Sequence, residues 1–153
     1  MIAGLSRQLG PSLDSELEVH SAASILDPNK TWPTTPLFQR GRAQGTLERA
    51  ERAMAEVGSK SAFLLVYYGT DGAGGWQAID QPLRTVTTID RFALVTPTRK
   101  GHVMRMLQAP ELRRAMGFPD GYTFPTGTRR DKIKILGNAV CPPVMEAITS
   151  ALN

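Results

Sequence analysis

The sequence has one cysteine, Cys141, and two histidines, His20 and His102, in 153 residues. A lone thiol makes no internal disulfide, which suits a reducing compartment. So sparse a His/Cys set cannot build a zinc centre, which takes three or four ligands at fixed spacing, and no metal site is expected. Long apolar runs are missing as well: none approaches the ~18 residues that a membrane span requires. The N-terminus carries no long apolar stretch with a small-residue cleavage pattern, so a cytoplasmic location without a membrane partner is the expectation. Two catalytic signatures are also absent. There is no Gly-x-Ser-x-Gly elbow, and the glycine-rich "GTDGAGGW" (69–76) lacks the Lys-Ser/Thr that completes a phosphate loop.

What is present is ordinary for one soluble domain: 41% hydrophobic and 21% charged residues. A chain of this length can bury roughly 68–70% of its unfolded surface, enough for a true core. The charge is uneven. The net +4 combines +7 over residues 84–134 with −3 elsewhere. A basic half points to a polyanion, most simply nucleic acid, although a merely solvated basic surface has the same composition.

Residues 1–5 (MIAGL) start without a turn or cap before them and read as the end of an element. Residues 6–44 are polar, and Pro28, Pro33 and Pro36 forbid a continuous helix, so this stretch reads as irregular. Leu47, Ala50, Met54 and Val57 recur at helical spacing from Thr46 to Gly58. "FLLVYY" (63–68) has strand composition and runs into the glycine-rich loop. Those glycines suit either a flexible hairpin loop or a close backbone approach to phosphate. "TVTTIDRFALV" (85–95) predicts two strands about Ile89 and Asp90. Leu107, Leu112, Ala115 and Met116 predict a helix that Gly117 and Pro119 end, and a last helix starts at Pro142 or Pro143. Cys141 has no basic neighbour nearer than Lys134 to lower its pKa, and reads as a packing residue.

The segment 104–152 closely resembles the C-terminal end of DNA (cytosine-5)-methyltransferases. Arg105, Leu107, Glu111, Arg114, Gly117, Phe118 and Pro119 match the family's ninth motif block, and Gly137, Asn138, Ala139 and Val140 its tenth. Residues 67–95 are similar, more loosely, to the family's target-recognition segment, with Pro82, Thr85, Val86 and Thr87 on its Pro-x-x-Thr-Val/Ile-Thr element. "MIAGLSRQL" resembles the strand tail after the eighth block.

The resemblance implies an α+β chain: a small β-rich target-recognition domain with flanking helices, and a C-terminal helix that in the family packs on a Rossmann-like catalytic domain absent here. It divides the chain into the end of a catalytic-domain strand (1–5), a target-recognition region (6–103) and the two motif blocks with the last helix (104–153). Asn138, Ala139 and Val140 are then the contacts to S-adenosylmethionine, usable only with the missing domain. Ala139 stands where many members have Ser, which removes a hydroxyl. Arg84, Thr85, Thr87, Arg91, Gly69 and Gly72 would face double-stranded DNA. Arg105, Glu111, Arg114, Gly117, Pro119 and Gly137 would be structural. In the ninth block Gln108 replaces the capping Thr and Pro110 a frequent Arg.

The family's reaction extrudes a cytosine, attacks its C6 with a thiolate and transfers methyl to C5. It uses a Pro-Cys loop, a Glu-Asn-Val acid, a Gln-x-Arg-x-Arg element and a Gly-rich cofactor loop, and none is in this chain. Cys141 precedes a proline instead of following one, so no catalytic residue is assigned. The expectation is a C-terminal fragment or subunit of a bacterial or phage restriction-modification enzyme, inactive without an N-terminal catalytic half. The alternatives are a stand-alone DNA-binding module without enzymatic activity, or a truncated remnant.

Overall fold

In the computed structural model, residues 20–68, 74–124 and 126–152 are described. The stretches 1–5 and 6–19, with Gly69 and Gly72, lie outside them. "Phe-Leu-Leu-Val" has no polar alternation because β2 (Phe63–Val66) is buried on both faces, as continuous apolar strands are. β2 runs antiparallel to β3 (Trp76–Ala78) on one side and to β4 (Phe92–Thr98) on the other. β4 in turn pairs with β5 (Gly101–Met106), and β5 with the two-residue β1 (Thr35–Pro36). The sheet order is β1-β5-β4-β2-β3.

Register sorts the core. Phe63 faces Val95 and Leu65 faces Ala93 across β2 and β4. These four join Met104, Leu37 and Ala50 and Ala53 of α2 (Gln44–Val57) on one side. Leu64 faces Leu94 and Val66 faces Phe92. They pack with Ala22 and Ile25 of α1 (Ala22–Ile25), Leu112 of α3 (Ala109–Ala115) and Ile133 and Leu136 of α4 (Arg129–Asn138) on the other. Each Val, Leu, Ile, Phe or Met among them, fully buried, is worth about 1.5–3 kcal/mol, and each alanine methyl less. β2 ends opposite Val95, so Pro97 pairs only with β5, where a missing N–H costs no ladder bond on the other side.

The α+β class agrees with the expectation: a small antiparallel sheet with flanking helices. Three local expectations need correction. Residues 85–87 are not a strand, because their backbone is held by side chains instead of a ladder, as described below. The stretch 20–44 is not wholly irregular, since α1 and β1 lie within it. The helix expected from Leu107 starts at Ala109, since β5 runs to Met106.

α5 (Pro142–Leu152) has no buried residue. Val144, Met145 and Ile148 are 43–45% exposed and Leu152 80%. By length and composition alone, Arg129–Leu152 could cross a membrane, with a mean hydropathy of 1.3 over its best window. It is broken, however, by extended Ala139, and α4 carries Arg129, Arg130, Asp131, Lys132 and Lys134.

Candidate nucleic-acid interface and cofactor turn

β3 and β4 present between them the irregular segment 82–91. Gln77, buried on β3, donates from Nε2 to the Pro82 carbonyl, and its Oε1 accepts from the Arg84 N–H at 3.3 Å. The Tyr68 hydroxyl donates to the Thr85 carbonyl. The Thr87 hydroxyl closes a local turn by donating to the Ile89 carbonyl at 3.0 Å, which leaves Ile89 58% exposed. These bonds replace a strand ladder, so a run of β-branched residues stays out of the sheet. The segment ends at Asp90, which pairs bidentately with Arg129 at the start of α4.

Arg84, Thr85 and Thr87 thus share one segment at the sheet's end. Arg84 lines an open cleft of about 490 Å³ with Trp76, Gln77, Ala78, Gln81 and Pro82. Arg91 is turned inward: its Nη1 donates to the Tyr67 carbonyl at 2.6 Å, and its guanidinium lies 6.0 Å from the centre of the Tyr68 ring. Two arginines of α2 meet the far end of the glycine-rich loop. Arg52 Nε donates to the Gly74 carbonyl at 3.2 Å, and the Arg49 side chain fills the space a Cβ on Gly75 would need. Gly75 has φ +75°, so both conformation and clearance call for glycine. The helical spacing of Arg49 and Arg52 was visible in the sequence, but nothing there placed the loop beside them.

The basic excess of 84–134 is partly consumed internally. Arg105 binds Glu111 through two nitrogens, at 2.7 and 2.6 Å, and Glu111 is fully buried. Glu111 also accepts from the N–H groups of Gln108 (2.7 Å) and Asp27 (2.9 Å). Arg114 donates to the Ile25 carbonyl and to Asp27, whose carboxylate accepts from Trp32 Nε1. Arg113 binds Asp120. Arg105 and Arg114 therefore tie the segment 25–32 to the ninth block. On α4, Arg130 and Lys134 are exposed and Lys132 half-buried, with the exposed Asp131 between them.

Gly117 has φ +71° and Pro143 occupies the place of its missing Cβ, so the end of the ninth block sits against the start of α5. Pro119 follows two residues later, exposed, beyond the end of α3. Cys141 is half-buried with its Sγ 3.7 Å from Met116 Sδ, a packing contact. Between α4 and α5, Asn138 and Val140 are exposed, Ala139 is half-buried, and the Ala139 N–H is taken by the Leu136 carbonyl. This turn offers a side-chain amide and an apolar wall facing outward. It fits one side of a cofactor pocket and cannot enclose a ligand by itself. Among the described residues no group of three or more His, Cys, Asp or Glu could hold a metal.

α4 itself is capped by a reciprocal pair. Thr128 accepts from the Asp131 N–H, and Asp131 accepts from the Thr128 N–H at 2.9 Å and from its hydroxyl at 2.7 Å. These bonds hold the Asp131 carboxyl below its ordinary pKa of 3.8.

The family described as C-5 cytosine-specific DNA methylase matches residues 18–153. Among curated proteins, the DNA (cytosine-5)-methyltransferase CMT2 of Oryza sativa subsp. japonica is 36% identical over 77 residues. The match takes in 50% of this chain and 6% of the rice protein, so the chain aligns with only a small part of that relative. A plant relative does not carry the expected bacterial or phage source. No solved structure gives a significant match. With the match running from residue 18 to the last residue, the chain belongs to the C-5 cytosine-specific DNA methylase family.

Proposed function

We propose that this chain supplies DNA target recognition and one wall of the S-adenosylmethionine pocket to a cytosine-5 DNA methyltransferase whose nucleophile lies on an N-terminal catalytic portion. Duplex DNA meets the segment 82–91, through Arg84, Thr85 and Thr87, together with the glycine-rich loop containing Gly69 and Gly72. Arg91 backs that surface from the end of the strand. Asn138, Ala139 and Val140 close the cofactor pocket, and S-adenosylmethionine would supply the methyl group transferred to cytosine C5.

The observation that carries this reading is the α4–α5 turn. An exposed amide at Asn138 and an exposed Val140 run directly into an α5 whose Val144, Met145 and Ile148 are uncovered. Such a surface is half of a site, and the apolar face beside it calls for a second body. Family membership names the chemistry, and the sole cysteine, preceding Pro142 and packed on Met116, leaves the nucleophile to that body.

The test joins two assays. The chain alone should bind a DNA duplex with an affinity that falls steeply as salt rises, and should transfer no tritiated methyl from S-adenosylmethionine. Co-expressed with a catalytic portion of the family bearing a Pro-Cys loop, it should transfer methyl to duplex DNA. Arg84→Ala should weaken binding and flatten the salt slope by about 0.9 for each phosphate that the arginine neutralises. Absence of duplex binding at low salt overturns the recognition role. Duplex binding without complementation favours a DNA-binding module with no enzymatic partner.

A further inference from the structure

The segment 82–91 and α4 touch at both ends of the helix. At its C-terminal end, a Cβ built on Gly137 would overlap the peptide that joins Thr87 to Thr88. The φ of Gly137 is not positive, so glycine is needed there for clearance and not for conformation. At the N-terminal end, Arg129 grips the Asp90 carboxylate with two nitrogens, and a third bond from its Nη2 to the Leu107 carbonyl at 2.5 Å anchors the guanidinium to the end of β5. Arg129 and Gly137 lie about 12 Å apart along the helix, and the three residues from Thr87 to Asp90, bent at Thr88 and Ile89, reach at most roughly 10 Å, so the Arg129 side chain bridges the remainder. The segment therefore lies along α4, tied at either end. The residues that follow Gly137 are Asn138, Ala139 and Val140.

We propose that α4 is a coupling strut. Through the Gly137 contact and the Arg129–Asp90 pair it fixes the segment 84–90 relative to the turn 138–140, so that loosening either one loosens the other. Given the proposed function, on which this assignment of roles rests, Gly137 and Arg129 are positioning residues that tie DNA engagement to the geometry of the cofactor wall. Coupling of this kind is reciprocal: whatever DNA does to the turn, the cofactor does to the segment. Asp90, Arg129 and Gly137 contact neither ligand in this arrangement and act only through the segment and the turn.

Site-resolved amide hydrogen exchange on the full chain, without any ligand, tests the strut. Asp90→Asn keeps the shape of the side chain and weakens its pair. It should speed exchange by about tenfold both at 86–90 and, at the far end of α4, at 136–140. Gly137→Ala, which perturbs the other end of the helix, should likewise speed exchange at 84–90 as much as at 136–140. Ala53→Gly on α2, which lowers global stability away from α4, serves as the control and should speed neither stretch selectively. Acceleration confined to 86–90 in Asp90→Asn overturns the proposal. That variant decides the matter even if Gly137→Ala does not fold. Duplex binding is measured separately on the same wild-type protein. A chain whose two stretches respond together yet shows no salt-dependent duplex affinity keeps its strut and loses the DNA-binding reading.

Discussion

Arg105 and Glu111 face each other fork to fork, nitrogens at 2.7 and 2.6 Å from the two carboxylate oxygens, with the acid wholly out of water. Two backbone N–H groups, of Gln108 and Asp27, complete the shell, so four donors converge on one buried charge. The pair starts α3 and at the same time pins the distant segment at Asp27.

Removing one member strands the other. Glu111→Ala should destabilise the chain by about 3–5 kcal/mol, because Arg105 is left as an unpaired buried cation. Urea unfolding should show a lower midpoint. A shift within about 0.5 kcal/mol, the usual range for a surface change, would sink this account.

Gly117→Ala meets two obstacles, a left-handed backbone and the ring of Pro143. A cost of roughly 1–3 kcal/mol is expected from the backbone alone. Local proteolysis should rise between Met116 and Val144, while the sheet keeps its protection. An unchanged melting temperature would contradict both obstacles at once.

Acid should loosen the start of α4. The folded pKa of Asp131 is depressed, so its contribution is present above the ordinary value of 3.8 and lost as pH falls through the lower folded value. Protection at 128–132, taken relative to the intrinsic exchange rate at each pH, should fall on going from about pH 5 to about pH 2, and Asp131→Asn should flatten that dependence. Equal pH profiles for the two proteins would rule the cap out as the cause.

The bare face of α5 should make the isolated chain self-associate. Light scattering should give a mass that grows with concentration, and Ile148→Asp, at a position 45% exposed on a helix with no buried residue, should return it toward a monomer. A monodisperse wild-type monomer at high concentration would contradict this.

Legibility followed apolar periodicity. α2 and α5 were readable because their apolar positions recur at helical spacing, and β2 and the second half of 85–95 because each is a short continuous apolar run. α4 was not, since "RRDKIKILGN" buries only Ile133 and Leu136 and otherwise reads as a charge run. The segment 85–87 misled because Thr-Val-Thr has strand propensity, whereas Gln77, Tyr68 and Gly137, distant in sequence, decide its backbone. Arg105 and Arg114 entered the basic excess by composition while the resemblance gave them a structural role, but their partners, Glu111, Asp27 and the Ile25 carbonyl, could not be read from the sequence. The position of Gly137 in the tenth block was visible, but the peptide it accommodates was not.

Pro36 sits on the outer rim of the sheet, where it offers no N–H, and its carbonyl already accepts from Arg42 at 2.8 Å. At the opposite rim, beyond β3, the carbonyls of Ile79 and Gln81 are taken by the N–H groups of Ala23 and Ala22. Both rims are thus blunted against a neighbouring strand at these positions. The uncovered face of α5 is then the readier contact between copies of this chain. Clusters formed through it should dissolve in mild detergent, bind no amyloid dye and return native protein, instead of hardening into fibrils.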